Sequence, residues 1–114
     1  MDCIFCKITQ KLLPSDIRYE NETLMIFDDI NPKAPAHLLV VPKKHIVSVR
    51  SMSDSDAGLM GELILEARNA AERFGLDGYK LLFNVGRKGG QVVDHVHLHI
   101  LGGWGGDQIV NSTH

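Results

Sequence analysis

Positive charge, cysteine and aromatic side chains are all scarce in this sequence. The 114 residues include 12 Lys and Arg against 14 Asp and Glu, which gives a formal net charge of −2. A protein that binds along the phosphates of DNA or RNA usually carries a basic surplus. This balance therefore excludes long nucleic acids as an expected partner, although a few local donors are enough to hold a single phosphate.

A membrane-spanning stretch and a secretion signal are also missing. No segment approaches the run of about 20 apolar residues that crosses a bilayer, and no basic N-terminal stretch leads into an apolar core. We therefore expect a cytoplasmic protein with no membrane partner. In that reducing compartment the two cysteines should be thiols or metal ligands rather than a disulfide.

Hydrophobic residues make up 44% of the chain, which is enough for the core of one domain. Because no linker or repeat divides the sequence, we expect a single domain over residues 1–114. Apolar periodicity predicts helices over residues 4–11 and 53–74, and strands over residues 17–20, 23–28, 37–41, 79–85 and 92–101. Ser53 and Asp56 have capping-box spacing at the start of the main helix, and Gly75 is placed to end it. Short turns between strands predict an α+β fold, with a five-stranded antiparallel sheet, one main helix and a short N-terminal helix.

Three histidines near the end of the chain, His95, His97 and His99, alternate with apolar residues. Alternate side chains on a strand share a face, so the three imidazoles are expected on one face and the apolar residues toward the core. A solvated polar face is one interpretation of this row. A metal site built from the strand alone is unfavourable, because the outer pair would lie about 13 Å apart.

Nucleophilic catalysis is the interpretation that uses all three histidines. Neutral imidazole attacks phosphorus and can leave again. The attacking ring needs one nitrogen free and the other held by an acceptor, which fixes its tautomer. Neighbouring imidazoles can donate to phosphate oxygens or protonate a leaving group.

Cys3 and Cys6 form a C-x-x-C pair, which is half of a typical zinc site. A redox role is disfavoured, because the thioredoxin-like βαβ context is missing. Two small buried thiols are the remaining alternative. The residues alone leave zinc and buried thiols open.

These residues and their surroundings resemble the histidine triad family of nucleotide-binding proteins. The alternation from His95 to Leu101 is similar to the family signature. Further matching positions are Cys3-Ile4-Phe5-Cys6-Lys7-Ile8, Phe27, Asp29-Ile30, Pro35-Ala36-His37, Pro42-Lys43-Lys44-His45, Asn84 and Gly89-Gly90-Gln91. The resemblance covers residues 3–103 and leaves residues 104–114 as a C-terminal tail that differs from the family's. Within the family, the sequence resembles most the Hint branch of purine nucleoside phosphoramidases.

The resemblance implies cleavage of the P–N bond of purine nucleoside 5′-phosphoramidates. It implies that His97 is the nucleophile, that a covalent nucleotidyl-histidine forms, and that water then releases the nucleoside monophosphate. The backbone carbonyl of His95 would hold the other nitrogen of His97, His99 would contact the phosphate, and His37 would support the triad.

The resemblance also implies a nucleotide site. Asp29 would take the ribose hydroxyls, with Ile30 beside it against the base. The apolar base pocket would comprise Ile4, Phe5, Ile8, Phe27 and Leu39, and the phosphate side would comprise Asn84, Gly90 and Gln91. Val92 also belongs to the implied nucleotide site. From the residues alone, the alternatives are that Asp29 is a turn residue and that Phe5, Ile8 and Phe27 are plain core. A Gly-rich turn can present backbone N–H groups to an anion.

Family members with this cysteine pair often bind structural zinc, and the implied ligands here are Cys3, Cys6, His45 and His95. The resemblance implies no organic cofactor, and it implies a homodimer.

Two positions depart from the family pattern. Val92 stands where eukaryotic Hint proteins carry a serine that helps at the leaving group, which predicts slower turnover or a different leaving group. Asp94 stands where an aromatic or apolar residue is commoner. A carboxylate there would favour a protonated histidine nearby if it points toward the triad, and would have no effect if it points away.

Three alternatives to a phosphoramidase stay open at this point. The first is a nucleotide-binding or scaffold protein with little turnover. The second is a dinucleoside polyphosphate hydrolase. The third is a metal-dependent hydrolase, which would lose activity to a chelator without unfolding.

Overall fold

The chain adopts the α+β architecture that its sequence predicts. The computed structural model describes residues 2–105, so residues 106–114 of the expected tail lie outside the described residues. The elements are α1 (Ile4–Thr9), β1 (Ile17–Glu20), β2 (Leu24–Asp28), β3 (Ala36–Pro42), α2 (Ala57–Arg73), β4 (Tyr79–Leu82) and β5 (Leu98–Gly102). The strands form a five-stranded antiparallel sheet in the order β1-β2-β3-β5-β4.

Side chains of the central strands point alternately to the two faces of the sheet, so the hydrophobic interior consists of two layers. Leu38 of β3 packs with residues of α2, whereas Leu39 packs with residues of α1 on the other face of the sheet. In the pairing of β3 with β5, Leu38 lies opposite Ile100 and Leu39 lies opposite His99. Directly paired residues share a face. His99 is therefore on the α1 face and Ile100 on the α2 face, as the predicted alternation requires for the part of the motif that lies in β5.

The main helix, α2, is specified by its two ends and its buried stripe. Ser53 and Asp56 form the predicted capping box across a short 3₁₀ turn that leads into the helix. The buried stripe consists of Leu63, Ala67, Ala70 and Ala71. Gly75 adopts a φ of +67°, which allows the chain to leave the helix. Neither α2 nor any other helix within residues 2–105 is long and apolar enough to cross a membrane.

The last strand begins later than predicted. We expected it from residue 92, but β5 begins at Leu98, and residues 92–97 belong to no strand. The N–H of His95 donates to the carbonyl of Val93 (2.9 Å) in a tight bend, and the N–H of Val96 donates to the carbonyl of Ile46 (2.7 Å). These hydrogen bonds replace the pairing with a neighbouring strand that was expected here. Because Ile46 lies in a distant loop, the strand propensity of residues 92–97 does not predict its contact with Val96.

Four other elements are shorter than predicted. α2 begins at Ala57 rather than at Ser53 and ends one residue early at Arg73, and β2 begins at Leu24 rather than at Thr23. α1 ends at Thr9 rather than at Lys11, and β4 ends at Leu82 rather than at Val85. Lys11 has a φ of 63°, which is incompatible with continuation of the helix.

Candidate active site

Two cavities meet at the histidines on the α1 face of the sheet. The apolar cavity, of about 390 Å³, is lined by Ile4, Phe5, Ile8, Leu13, Pro14, Ser15, Phe27, Asp28, Asp29, Ile30, Asn31, Leu39, Val92, Val93, His97 and His99. The lysine cavity, of about 540 Å³, is lined by Asp29, Asn31, Lys33, His37, Leu82, Asn84, Lys88, Gly89, Gly90, Val92, His97, His99 and Leu101. His97 and His99 are common to both, so a ligand that occupies both cavities passes these two rings.

Hydrogen bonding to the backbone fixes His97 in one tautomer. Its Nδ1 lies 2.7 Å from the carbonyl oxygen of His95, which can only accept, so Nδ1 carries the proton. Burial lowers the pKa of His97 and keeps the ring neutral near neutral pH, so Nε2 has a free lone pair. Phe5 packs edge-on against the ring, with 5.0 Å between centroids. His97 thus has one nitrogen held and the other free.

A second hydrogen-bond chain fixes His37 and His99. The backbone N–H of Lys33 donates to His37 Nδ1 (2.9 Å), so the proton of His37 is on Nε2. His37 Nε2 donates to His99 Nδ1 (2.8 Å), which leaves the proton of His99 on Nε2. Burial lowers the pKa of His37, and it lowers the pKa of His99 to about 4, so both rings are neutral.

The proton of His99 is available to a ligand. Its Nε2 is buried and has no hydrogen-bond partner among residues 2–105. Buried polar groups are rarely left unpaired in folded proteins. Because His99 lies on the walls of both cavities, this N–H is a donor at the point where they meet.

Asp29 combines a turn role with a position on the cavity walls. Its Oδ1 accepts from the backbone N–H of Asn31 at 2.8 Å, and its Oδ2 lies 3.4 Å from His37 Nε2. It lines both cavities, so its role in the turn is compatible with the expected contact to a ligand. Ile30, the next residue, is 83% exposed and lines the apolar cavity.

All five residues expected at a base pocket line the apolar cavity: Ile4, Phe5, Ile8, Phe27 and Leu39. All except Ile4 are also buried in the core layer that contacts α1. These positions are therefore core and cavity wall at once. Sequence reasoning missed Leu13, Pro14 and Ser15, which line the same cavity from a segment that carries no motif.

Three backbone N–H groups of the glycine-rich turn are used internally. Those of Gly89, Gly90 and Gln91 each donate to a carbonyl earlier in the same turn. These three groups are therefore already paired, and the expectation that the turn presents N–H groups to an anion stays a prediction for the rest of the turn. Asn84 and Gly90 do line the lysine cavity, and Asn84 Nδ2 donates to the carbonyl of Gly89 (2.8 Å).

Gln91 differs from the sequence expectation, because it lines neither of the two cavities. Its side chain is buried, and its Oε1 accepts from the N–H of Gly86 (3.0 Å). Its Nε2 donates to the carbonyls of Val47 (2.6 Å) and Val93 (3.0 Å). The side chain thus ties the glycine turn to the segment that precedes His95.

The two positions that depart from the family pattern have different surroundings. Val92 is 82% exposed and lies on the walls of both cavities. Asp94 pairs with Arg87 at 2.9 Å and lines neither cavity. Because Arg87 neutralises this carboxylate, and because burial lowers the pKa of His95 and of His97, a protonated histidine next to Asp94 is not supported.

The wall of the lysine cavity also carries two cations, Lys33 and Lys88, which were not predicted from the sequence as site residues. Each adjoins a segment that the sequence had marked. Lys33 lies in the loop between Asp29 and His37, and Lys88 immediately precedes Gly89. Their proximity depends on the meeting of these two loops in three dimensions.

The ligand atoms of Cys3, Cys6, His45 and His95 lie within 4.8 Å of one another. The two Sγ atoms lie 3.3 and 3.6 Å from His95 Nδ1, and the Nδ1 atoms of His45 and His95 are 3.1 Å apart. A tetrahedral zinc with bonds of about 2.0–2.3 Å separates its ligands by roughly 3.3–3.8 Å. His95 Nε2 donates to the carbonyl of Pro42 (2.8 Å), which leaves Nδ1 unprotonated. The cluster is therefore compatible with zinc.

A second set of potential ligands comprises Asp29, His37 and His99, again within 4.8 Å. Here the hydrogen bonds disfavour a metal. His37 Nε2 carries a proton that it donates to His99, so it has no lone pair to give. These three residues therefore form a hydrogen-bonded group that orients neutral imidazoles, and metal binding here is disfavoured.

Known proteins are similar to this chain in sequence and in fold. The chain matches the family model described as "Scavenger mRNA decapping enzyme C-term binding" over residues 2–107. It is 44% identical over 102 residues to protein HitA of Neisseria gonorrhoeae, covering 89% of this chain and 95% of that protein. The crystal structure of a HIT family hydrolase from Legionella pneumophila Philadelphia 1 superposes with a TM-score of 0.89 and 43% identity, covering 91% of this chain and 95% of that one.

One of the similar solved structures is described as zinc-bound. The crystal structure of a zinc-bound histidine triad family protein from Mycobacterium smegmatis superposes with a TM-score of 0.81 at 30% identity. The match covers 97% of this chain and 81% of that one. With the family model matched over residues 2–107 and the fold shared with these relatives, the chain belongs to the histidine triad family.

Proposed function

We propose that this protein hydrolyses purine nucleoside 5′-phosphoramidates at the P–N bond. The observation that carries the proposal is the state of His97, whose Nδ1 is held by the carbonyl of His95 while Nε2 remains free. This ring lies on the walls of both cavities, where a phosphorus atom joining two groups would come within its reach. The relative from Legionella is described as a hydrolase, which supports the same class of reaction.

The apolar cavity suits the nucleoside half of the substrate. Phe5 and Phe27 offer aromatic surface to a purine base, and Asp29 offers a carboxylate that can accept from ribose hydroxyls. Apolar packing discriminates weakly between purines, so the choice between adenosine and guanosine is left to the few polar wall groups.

In the first step, the lone pair of His97 Nε2 attacks phosphorus and the P–N bond breaks. The electron pair of that bond stays on the departing nitrogen, which takes a proton from solvent and leaves as the amine. His99 Nε2–H donates to a phosphoryl oxygen, on which negative charge grows. The nucleotidyl-imidazole is a cation, and the carbonyl of His95 stabilises its Nδ1–H.

In the second step, a water oxygen attacks the same phosphorus and the bond between phosphorus and Nε2 breaks. The electron pair returns to Nε2, and the proton of the water passes to solvent. The products are the nucleoside monophosphate and the original neutral tautomer of His97. His37 contributes by holding His99 in the tautomer that donates from Nε2.

Cys3, Cys6, His45 and His95 would hold a structural zinc ion. Four protein ligands form a closed set with no open position for a substrate. When bound, the ion supplies a cross-link between the N-terminal segment and the bend before His97. His95 contributes its ring to this cluster and its carbonyl to His97, so one residue serves both sites.

A homodimer also belongs to the proposal. Within the described residues, β4 pairs with β5 alone and lies at an edge of the sheet. Leu81 on this strand is 39% exposed, and Ile64 and Leu65 on α2 are 42% and 51% exposed. Pairing of two such surfaces about a two-fold axis would cover an unpaired edge and apolar side chains together.

Release of AMP from adenosine 5′-phosphoramidate tests the proposal, with His97→Ala as the comparison. The wild type should release AMP, and the variant should be slower by at least about 1,000-fold. Far-UV circular dichroism and urea unfolding of the variant establish that it folds. Equal release by both proteins would remove His97 as the nucleophile, and no release by either would remove this substrate class.

A nucleotide-binding protein with little turnover is the second candidate, and Val92 favours it. This side chain lies on both cavity walls and offers no hydroxyl to a leaving group. That candidate predicts tight binding of AMP by the wild type without measurable release from the phosphoramidate. Titration calorimetry with AMP, run beside the release assay, separates the two functions.

A further inference from the structure

We propose that the lysine cavity selects substrates whose leaving group carries an anion, a carboxylate or a phosphate, which Lys33 and Lys88 bind. This inference rests on the proposed function, because it assigns the second cavity to the group that departs from phosphorus. It names a substrate class rather than one amine.

The residues that line only the apolar cavity differ in chemistry from those that line only the lysine cavity. The apolar cavity adds mainly hydrophobic side chains, among them Phe5 and Phe27, whereas the lysine cavity adds Lys33, Lys88 and Asn84. A nucleoside occupying the apolar cavity with its phosphorus at His97 directs the rest of the substrate toward the lysine cavity, which shares His97 and His99 with it. The leaving group therefore meets the wall that carries two cations.

Lys33 and Lys88 also differ from the other lysines of residues 2–105. Lys7, Lys11, Lys43 and Lys44 each form an ion pair with a carboxylate, and Lys80 lies 5.5 Å from the centre of the Trp104 ring. Within the same residues, Lys33 and Lys88 form no ion pair or aromatic contact. Two unpaired cations on one cavity wall, in a chain of net charge −2, form a local site for an anion.

The histidines do not supply this positive charge themselves. The hydrogen-bond chain through His37 and His99 holds both rings neutral, and His97 is neutral while Nε2 is free. Asp29 is the acidic residue on the wall of the lysine cavity, and it already contacts His37 Nε2. The lysines therefore outnumber the carboxylate and leave a positive charge for a ligand.

Matched pairs of adenosine 5′-phosphoramidates test the inference. One pair carries tryptamine or tryptophan as the amine, which differ by a carboxylate. The other carries ethanolamine or phosphoethanolamine, which differ by a phosphate. The wild type should cleave the acidic member of at least one pair with a kcat/KM higher by on the order of tenfold, and added salt should reduce this ratio. Preference within the first pair alone identifies a carboxylate, and within the second pair alone a phosphate.

The double variant Lys33→Met/Lys88→Met should bring the ratio close to one. Lys80→Met removes the same type of charge outside both cavities and should retain the wild-type ratio. A wild type without preference in either pair, or a double variant that keeps the preference, would overturn the inference. In the first of these cases cleavage of the neutral amidates would still support the phosphoramidase.

Binding measurements keep the inference testable if no amidate is cleaved. Dissociation constants for both pairs are measured on His97→Asn, with and without the two lysine substitutions. Absence of cleavage by the wild type would refute the proposed function. Tighter binding of an acidic member that depends on Lys33 and Lys88 would still support an anion site, and equal binding would refute it.

Discussion

Replacing Gln91 with alanine is expected to lower the free energy of unfolding by about 3 kcal/mol. The change removes the hydrogen bond from the N–H of Gly86 and the two that Nε2 donates to the carbonyls of Val47 and Val93. Each hydrogen bond contributes about 1 kcal/mol net, and a buried group left unpaired costs about 1–3 kcal/mol. Gln91 is 3% exposed, so water replaces the lost partners incompletely.

For a chain of this length, such a loss corresponds to a fall in melting temperature of roughly 12–15 °C. Urea unfolding followed by circular dichroism measures it. Gln10→Ala, at an exposed position after α1, is the matched control and should stay within about 0.5 kcal/mol of the wild type. Gln91→Glu should destabilise at least as much as alanine does, because a carboxylate oxygen would face two carbonyls.

A different outcome would restore the role first expected for Gln91. If Gln91→Ala unfolds within about 1 kcal/mol of the wild type but binds AMP more weakly, the side chain serves the ligand rather than the turn. A large loss of stability, with AMP affinity unchanged in the folded fraction, supports the bracing role.

Metal removal and acid should each destabilise the protein, in ways that single variants isolate. A chelator should lower the urea midpoint of the wild type and leave that of Cys6→Ser unchanged, since the variant lacks one ligand; equal responses would contradict a structural zinc. For acid, burial lowers the pKa of His99 from 6.5 to about 4, so between these values the unfolded chain binds a proton that the folded ring does not. The groups around this ring are His37, His97, Asp29 and Lys33. The stability due to neutral His99 is complete above about pH 6.5 and is lost as the pH falls to about 4, by about 2 kcal/mol after solvent screening. Urea unfolding at about pH 7.5 and about pH 4.5 should show a smaller acid loss for His99→Gln than for the wild type, and equal losses would be inconsistent with a lowered pKa.

Binary patterning predicted most of the fold correctly, because burial on one face has a different period in a helix and in a strand. The strand at residues 17–20 has the predicted bounds, and the capping box of Ser53 and Asp56 is present where its spacing indicated. The last strand was placed too early. Residues 92–97 have strand-like composition, but contacts with Ile46 and with the cysteine segment bend them away from the sheet.

The candidate site was predictable as a set of residues but not as a network. The alternation of histidines marked the α1 face, and the cavity walls contain most of the residues that the resemblance implied. The hydrogen bond between His37 and His99 joins residues 62 positions apart, so it depends on the register of β3 against β5. No local pattern encodes that register.

By itself the sequence determined the type of fold, the alternation of histidines with apolar residues and the cysteine pair, whereas His45 and His95 entered the metal-compatible set only through the family resemblance. The first three features follow from local periodicity and from the chemistry of single side chains. Only the tertiary structure decided the tautomer of His99, the bracing role of Gln91 and the position of Lys33 and Lys88 on one wall. Each of these depends on which backbone carbonyl, ring or loop from a distant segment lies within hydrogen-bond or Coulombic range, and packing of the whole chain sets those distances.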